Sequence, residues 1–492
     1  MRLWGADHVG CNEGSHFHLE QDSTGRFKRM FCSIGLTNYI AFHAGINFSG
    51  VDSTFTKHYI FRQGQLMLLV TRDSNNQLLV LAWCTCLKEN SANYRYFADH
   101  CKKAGLDIYL NRKEQLLYSD RHKGIPAFEA EFLCGTANCI RHIIDNCRAA
   151  IKRSGGGPNA LRFHDNQVLE VMKAPTRFDY DKALGRLAQT SRMAAEYIDD
   201  LPHEKTFTYK LVEEGYCTHG HCTSNLVEIM NGVWRPLREL APYQMNNGIL
   251  EWFAGKLAER QNIAKDMIKK KAVYTPYAAD YIAKQELLAR EETMQIHPLG
   301  GNVFRVTRRV FQSGCWINTY HNVDVNLGTC DCARFLCYKL PCMHIILIVD
   351  KLGLRNSVKQ MLEFREKYVP RYFHAESYIK AYVPDRTVIP PKLHHDECLP
   401  GITDAPDRVL PPPQPKRKLG RQQVARMTRQ KRRSRGKFAA DEYVDRKRAG
   451  RGASSAANSF VKASTSRFKK NKKGSTPLIS FPHPLFLIRY SR

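Results

Sequence analysis

The sequence predicts an α/β fold in which a sheet-and-helix domain and a helical stretch precede a small metal-binding module and a basic tail. Three observations carry this reading. From about Asn47, short apolar runs alternate with turn-prone links and one amphipathic helix. From about 160 to 295, helical periodicity dominates. At 330–344, cysteines and a histidine join strand-like runs to an apolar helix. The length of 492 residues allows two or three domains, and the hydrophobic share of 43% is that of a globular protein.

Residues 1–40 read as polar and irregular. NFSGVDSTFT, QLMLLVTRD and QLLVLAWCTCL then read as three strands. Their links, at Arg62–Gly64 and from Asp73, make an antiparallel meander the simplest arrangement. SANYRYFADHCKKAG reads as a helix stopped at Gly105, with lysines in its last turn. KEQLLYSD is a fourth strand, and FEAEFLCG and CIRHIIDN are a mixture of helix and strand. That order fits a sheet with helices on its faces. KALGRLAQTSRMAAEYIDDL and ILEWFAGKLAERQNIAKDMIKKK are helices; NVFRVTRRVF and WINTYHNVDVNL are strands. CMHIILIVDKLG is an apolar helix, and prolines accumulate after about Tyr382.

The net charge of +28 predicts an acidic polymer as partner, because polyanions release counterions on binding. About +18 of it lies between Gln414 and Ser475, which hold 21 basic and 3 acidic residues. That tail has too little apolar content to fold alone and reads as disordered. Its motifs PKRK at 415–418 and QKRRSRGK at 430–437 fit a nuclear-import address, non-specific phosphate contacts or a solvated charge run. The opening MRLWGADHVGCNEG has no apolar signal-peptide core, and no apolar run approaches a membrane span. The 16 cysteines therefore read as intracellular thiols, not as a disulfide framework.

The segment GTCDCARFLCYKLPCMHIILIV is the most specific signal. Cys330 and Cys332 stand two apart at a strand end, where period two points both thiols to one face. Cys342 and His344 open the apolar helix after Pro341. Residues two apart in a helix do not share a face, so Cys342 must sit on the non-helical entry if both are ligands. Three thiolates and an imidazole make a closed tetrahedral set for structural Zn²⁺. Cys337 is the rival ligand.

The spacing C-x-C-x9-C-x-H resembles the SWIM zinc finger, as do the preceding hairpin and the Pro-Cys-x-His step. Such fingers follow the catalytic domain in Mutator-like element (MULE) transposases. Upstream, VDSTFTKH resembles that family's D-G-T-F step at Asp52, with Ser53 in place of glycine. SDRHKGIPAFEAEF resembles the run around a second aspartate, Asp120, and CIRHIIDN the C-x-x-H signature at Cys139 and His142. TSNLVEIMNGVWRPL resembles the stretch bearing the third acid, which points to Glu228; Glu213 and Glu214 are rivals. The resemblance spans about Phe27 to Arg429.

It implies a RNase H-like catalytic core (41–150), followed by a helical insertion and C-terminal helices (151–295). A SWIM zinc finger (296–360), a linker (361–412) and the basic tail (413–492) complete the chain. In such a core the strands bearing Asp52 and Asp120 are neighbours. With Glu228 they would hold Mg²⁺ or Mn²⁺, since hard oxygen ligands suit those ions. Two-metal DDE cleavage and strand transfer would follow, with Cys139 and His142 as active-site support or simply as core. The implied partner is DNA, either transposon terminal inverted repeats or regulatory DNA. A nuclear location, a possible homo-oligomer and no membrane association are implied with it.

The alternative is a catalytically inactive, domesticated or truncated transposase that serves as a DNA-binding regulator. The chain begins almost directly upstream of the expected catalytic fold, so the family's N-terminal recognition domain is expected to be missing or never included, and the apolar STPLISFPHPLFLIRYSR differs from the tail it follows. Both fit that alternative. CTHGHC at 217–222 reads as a polar loop before a metal site. Cys11, His16 and His18 form a weaker cluster, and Tyr96 and Phe97 read as core.

Overall fold

Residues rich in Val, Leu, Phe and Thr build one large sheet. The computed structural model describes residues 1–391 except 59, 60, 62, 63, 223, 224, 291–293, 313, 314 and 384–386. The chain divides into two units, Met1–Pro415 and Lys416–Arg492. The second unit, the tail's assigned disorder and both basic motifs lie outside the described residues.

The strands are β1 (His16–Gln21), β2 (Phe27–Ser33), β3 (Gly45–Phe55), β4 (Gln65–Asp73), β5 (Leu78–Cys86), β6 (Leu116–Ser119) and β7 (Gly135–Asn138). They lie in the order β1-β2-β5-β4-β3-β6-β7. Pairing is antiparallel from β1 across to β3 and parallel from β3 through β6 to β7. The meander read at β3, β4 and β5 is present. Leu66 through Val70 in β4 are all buried, because helices and loops cover both faces of the central strands. Helix Asn225–Val233 packs on β3 and β4. The long helix Pro242–Lys269 is tied to β5 by Trp83 Nε1 donating to Asn246 Oδ1 (2.7 Å).

The N-terminal reading is corrected. Residues 1–40 are not irregular: they form helix Arg2–Cys11, β1, β2 and the start of helix Gly35–Ala44. β1 is an edge strand and only half-buried, so its composition is polar. β2 carries Lys28 and Arg29, both paired with Glu20 of β1. Its buried half, Met30–Ser33, pairs with β5, a partner that local pattern does not reveal.

The helices between 140 and 199 close on a second core that includes Ile143, Cys147, Val168, Tyr180, Leu187 and Ile198. Thr176 and Ser191 cap two of them by accepting from the Asp179 and Ala194 amides.

A four-stranded antiparallel sheet follows: β8 (Met294–Gly300), β9 (Val303–Gln312), β10 (Cys315–Asp324) and β11 (Thr329–Cys330). Its order is β11-β10-β9-β8. β8 adds a strand that the sequence reading did not include. The linker assigned to 361–412 is also corrected over its described part. Helices Val358–Tyr368 and Ala375–Tyr382 are folded, and Tyr378 and Tyr382 are buried. Ile389 exchanges two hydrogen bonds with the Asn12 side chain (2.8 and 2.9 Å). Residues 392–412 lie outside the described part.

Candidate metal and carboxylate centres

Cys330 ends β11, and Cys332 follows in a turn, not in the strand the period-two reading required. Cys342 is the extended N-cap of helix Met343–Lys351, and His344 lies in its first turn. That non-helical entry lets Cys342 and His344 face one point. The four ligand atoms all lie within 4.8 Å of one another, and all four residues are buried. His344 Nδ1 is 3.6 Å from Cys330 Sγ and 4.0 Å from Cys342 Sγ. Hydrogen bonds from the Cys330 and Cys332 thiols, with the His344 and Ile345 amides, hold Cys342 well below the usual thiol range. This is a buried Cys₃His group that can hold a metal ion. Around it, the His344 ring lies against His321, whose Nδ1 is 3.1 Å from an Asp331 oxygen. Cys337 is buried outside the quartet; its carbonyl accepts from Cys217 Sγ (3.2 Å).

The second centre lies on the large sheet. Asp52 is on β3, and Asp120 directly follows β6, the parallel neighbour of β3. Asp52 is 8% exposed. Its Oδ1 accepts from the Ser53 amide (2.7 Å), and Asp120 Oδ1 accepts from the His122 amide (2.9 Å). Burial, followed by the Asp120 charge, pushes the Asp52 carboxyl up to about 7. Two carboxylates in low dielectric repel, and a divalent cation removes that cost. The donor set therefore fits a hard cation.

Cys139 is the N-cap of helix Ile140–Arg153, held by its amide donating to the Ser119 carbonyl (2.8 Å). This places His142 one turn along the helix. Cys139, His142 and Glu228 form a group whose ligand atoms lie within 4.8 Å. Glu228 thus sits with a thiol and an imidazole, and among the described residues it forms no such group with the two aspartates. Arg141 forms an ion pair with it. Hydrogen bonding to Cys139 raises the His142 pKa above its ordinary value, and Asp52 and Asp120 add to the effect. His142 Nδ1 is buried with no hydrogen-bond partner.

Two residues of this region were not singled out from sequence. Arg141 lies inside the C-x-x-H run itself. Glu129 lines a cavity of about 210 Å³ with Asp120, where it accepts from Ser119 Oγ (3.0 Å) and pairs with Lys205 (3.7 Å). Its FEAEF segment is acidic, but nothing local marks one of its acids as facing Asp120.

The other sequence candidates lie elsewhere. Glu213 and Glu214 are exposed at a helix end. CTHGHC is a packed loop: Cys217, His219 and Cys222 are buried without forming a metal group among the described residues. Its His221 stacks on Phe48 (4.5 Å), and the Cys222 carbonyl accepts from the Ile140 amide (3.1 Å). Cys11 is exposed, whereas His16 contacts His100 (2.8 Å) and His18 contacts Tyr96 (2.9 Å). Tyr96 and Phe97 are buried. Among the described residues, no helix is long and apolar enough to cross a membrane. No protein-family model matches the chain, and no curated protein matches it.

Proposed function

We propose that the chain is a Mutator-like transposase whose RNase H-like domain cleaves and joins DNA and whose SWIM finger binds structural zinc. The observation that carries this reading is Asp52, buried on β3, with Asp120 just past the end of the parallel neighbour β6 and near enough for its charge to raise the Asp52 pKa. Asp52 and Asp120 would hold Mg²⁺ or Mn²⁺; Glu228, on the helix packed on β3, lies with Cys139 and His142 and would join them only on release from Arg141. Such cations, when bound, neutralise the carboxylates and lower the pKa of an attacking water or 3′-hydroxyl. The parallel pairing of β3 with β6 supports a site shared by the two carboxylates. His142 brings a half-buried imidazole to the edge of the centre, its pKa raised chiefly by hydrogen bonding to Cys139. Zinc in the Cys₃His group pins β11 to helix Met343–Lys351. The partner is DNA bearing terminal inverted repeats, the location is the nucleus, and a homo-oligomer would pair two ends.

A second reading rests on the Arg141–Glu228 ion pair. It engages the third acid with a cation of the chain, as expected of a catalytically silent DNA-binding regulator.

The test is cleavage and strand transfer on DNA carrying the element's own terminal repeats, with Mg²⁺ or Mn²⁺. Wild type is compared with Asp120→Asn. Metal-dependent activity lost in the variant supports the enzyme. Equal inactivity of both, with salt-sensitive DNA binding retained, overturns it in favour of the regulator. The regulator would require zinc alone, whereas the enzyme would also require added Mg²⁺ or Mn²⁺.

A further inference from the structure

The outer face of β8–β10 carries a pattern that the metal centre does not explain. Successive side chains on a strand point to opposite faces. Val306 and Val323 are buried on the inner face. On the outer face, Phe311 pairs across the ladder with Trp316, Thr307 with Tyr320, and Arg309 with Asn318. Phe311 is 61% exposed, Trp316 57% and Tyr320 61%. Three aromatic rings in water on one small sheet are costly unless something covers them.

Each of the two larger rings is paired with an arginine. The Arg309 guanidinium lies over Trp316 (5.4 Å to the ring centre), and that of Arg305 lies over Tyr320 (5.2 Å). Phe311 meets Trp316 edge to face (5.3 Å). Arg305 Nε donates to Asn322 Oδ1 (3.0 Å), which orients its guanidinium along the face. β9 contains no acidic residue, and β10 has only Asp324, at its far end.

We infer that this face binds an unpaired nucleic-acid strand. Flat rings accept stacked bases, guanidinium groups accept phosphates, and the absence of carboxylates removes repulsion. A duplex buries its base faces and offers only groove edges and phosphates, so it uses the arginines but not the rings. Protein interfaces are also enriched in aromatic residues and arginine, so what favours a nucleic-acid strand here is the positive charge of the face with no carboxylate on β9 or on β10 before Asp324. The inference does not depend on the carboxylate centre, so a chain inactive in DNA cleavage still carries the platform.

The experiment is a fluorescence titration of the full chain with a short single-stranded deoxythymidine oligonucleotide and with a duplex of equal length. Trp4, Trp83 and Trp234 are buried and Trp252 is partly buried, so Trp316 is the exposed reporter among the five tryptophans. Because basic segments bind any polyanion, quenching of Trp316 and not affinity alone reports on this face. The single strand is expected to quench an emission component that Trp316→Leu lacks. Affinity should fall roughly 5- to 160-fold for each stacked base lost. Arg305→Ala with Arg309→Ala should lower the slope of log affinity against log salt by roughly 1.4 while leaving quenching at saturation intact. Unchanged zinc content shows that the variants are folded. Quenching that survives Trp316→Leu, equal quenching by the duplex, or binding by all variants that matches wild type would each overturn the inference.

Discussion

Asp52 and Asp73 lie on neighbouring antiparallel strands of one sheet, and both are buried, yet their surroundings are opposite in kind. Asp73 Oδ1 accepts from the Asn75 and Gln77 amides (3.0 and 2.9 Å). Its Oδ2 accepts from Tyr382 Oη (2.8 Å) and lies 3.9 Å from Arg260 Nε. Arg260 in turn donates to Tyr382 Oη (3.2 Å) and to the Leu78 carbonyl. Burial raises both carboxyl pKa values. At Asp73 the Arg260 charge opposes that rise, whereas at Asp52 the Asp120 charge adds to it. A buried carboxylate surrounded by donors belongs to the fold. One facing a second carboxylate, with His142 offsetting only part of the repulsion, calls for a further countercharge, and this is a physical mark of a site.

The comparison can be broken at Arg260 first. Arg260→Ala leaves Asp73 buried without its cation, and urea unfolding should show a loss of about 3–5 kcal/mol. A double variant, Arg260→Met with Asp73→Asn, should recover part of that loss; no recovery would mean that Arg260 acts through packing alone. Tyr382→Phe removes one hydrogen bond to a charged acceptor and should cost about 1.5–3 kcal/mol in the same assay.

At Asp52 the sign should reverse. Its folded pKa of about 7 stands above its ordinary value of 3.8. Its contribution to stability is therefore greatest below the ordinary value and is lost as pH rises through about 7. In a chelator for hard cations, Asp52→Asn should be more stable than wild type at about pH 8 by on the order of 1–2 kcal/mol, and near neutral in effect at about pH 5. A loss of stability at pH 8 would place Asp52 with Asp73 as a structural group. The smallest effect expected is a rise of a few degrees in Tm on adding Mg²⁺, larger at pH 8 than at pH 5 and absent in Asp52→Asn.

Local signals carried far in some regions and failed in others, for stated reasons. The β3–β4–β5 meander, helix Ser91–Lys103 and β6 were legible because apolar runs and turn residues are properties of neighbours in sequence. The Cys₃His group was legible because its ligands span only 15 residues, and the non-helical entry at Cys342 followed from helix geometry alone. β1 and β2 were missed because an edge strand is polar and because the partner of β2 lies more than 40 residues away in β5. Helix Ala375–Tyr382 was taken for linker, since its reason to fold is burial against helices and Asp73 far upstream.

The sequence by itself determined the element types over most of the described chain, the identity of the four metal-ligand candidates and the excess of positive charge, since periodicity, spacing and composition are local or additive. Only the tertiary structure decided which acids meet. It set Asp52 beside Asp120, grouped Glu228 with Cys139 and His142 under the Arg141 charge, and surrounded Asp73 with donors. A carboxylate's role depends on the charges and donors within a few ångströms of it. Those neighbours come from strands and helices that the chain reaches only after long excursions.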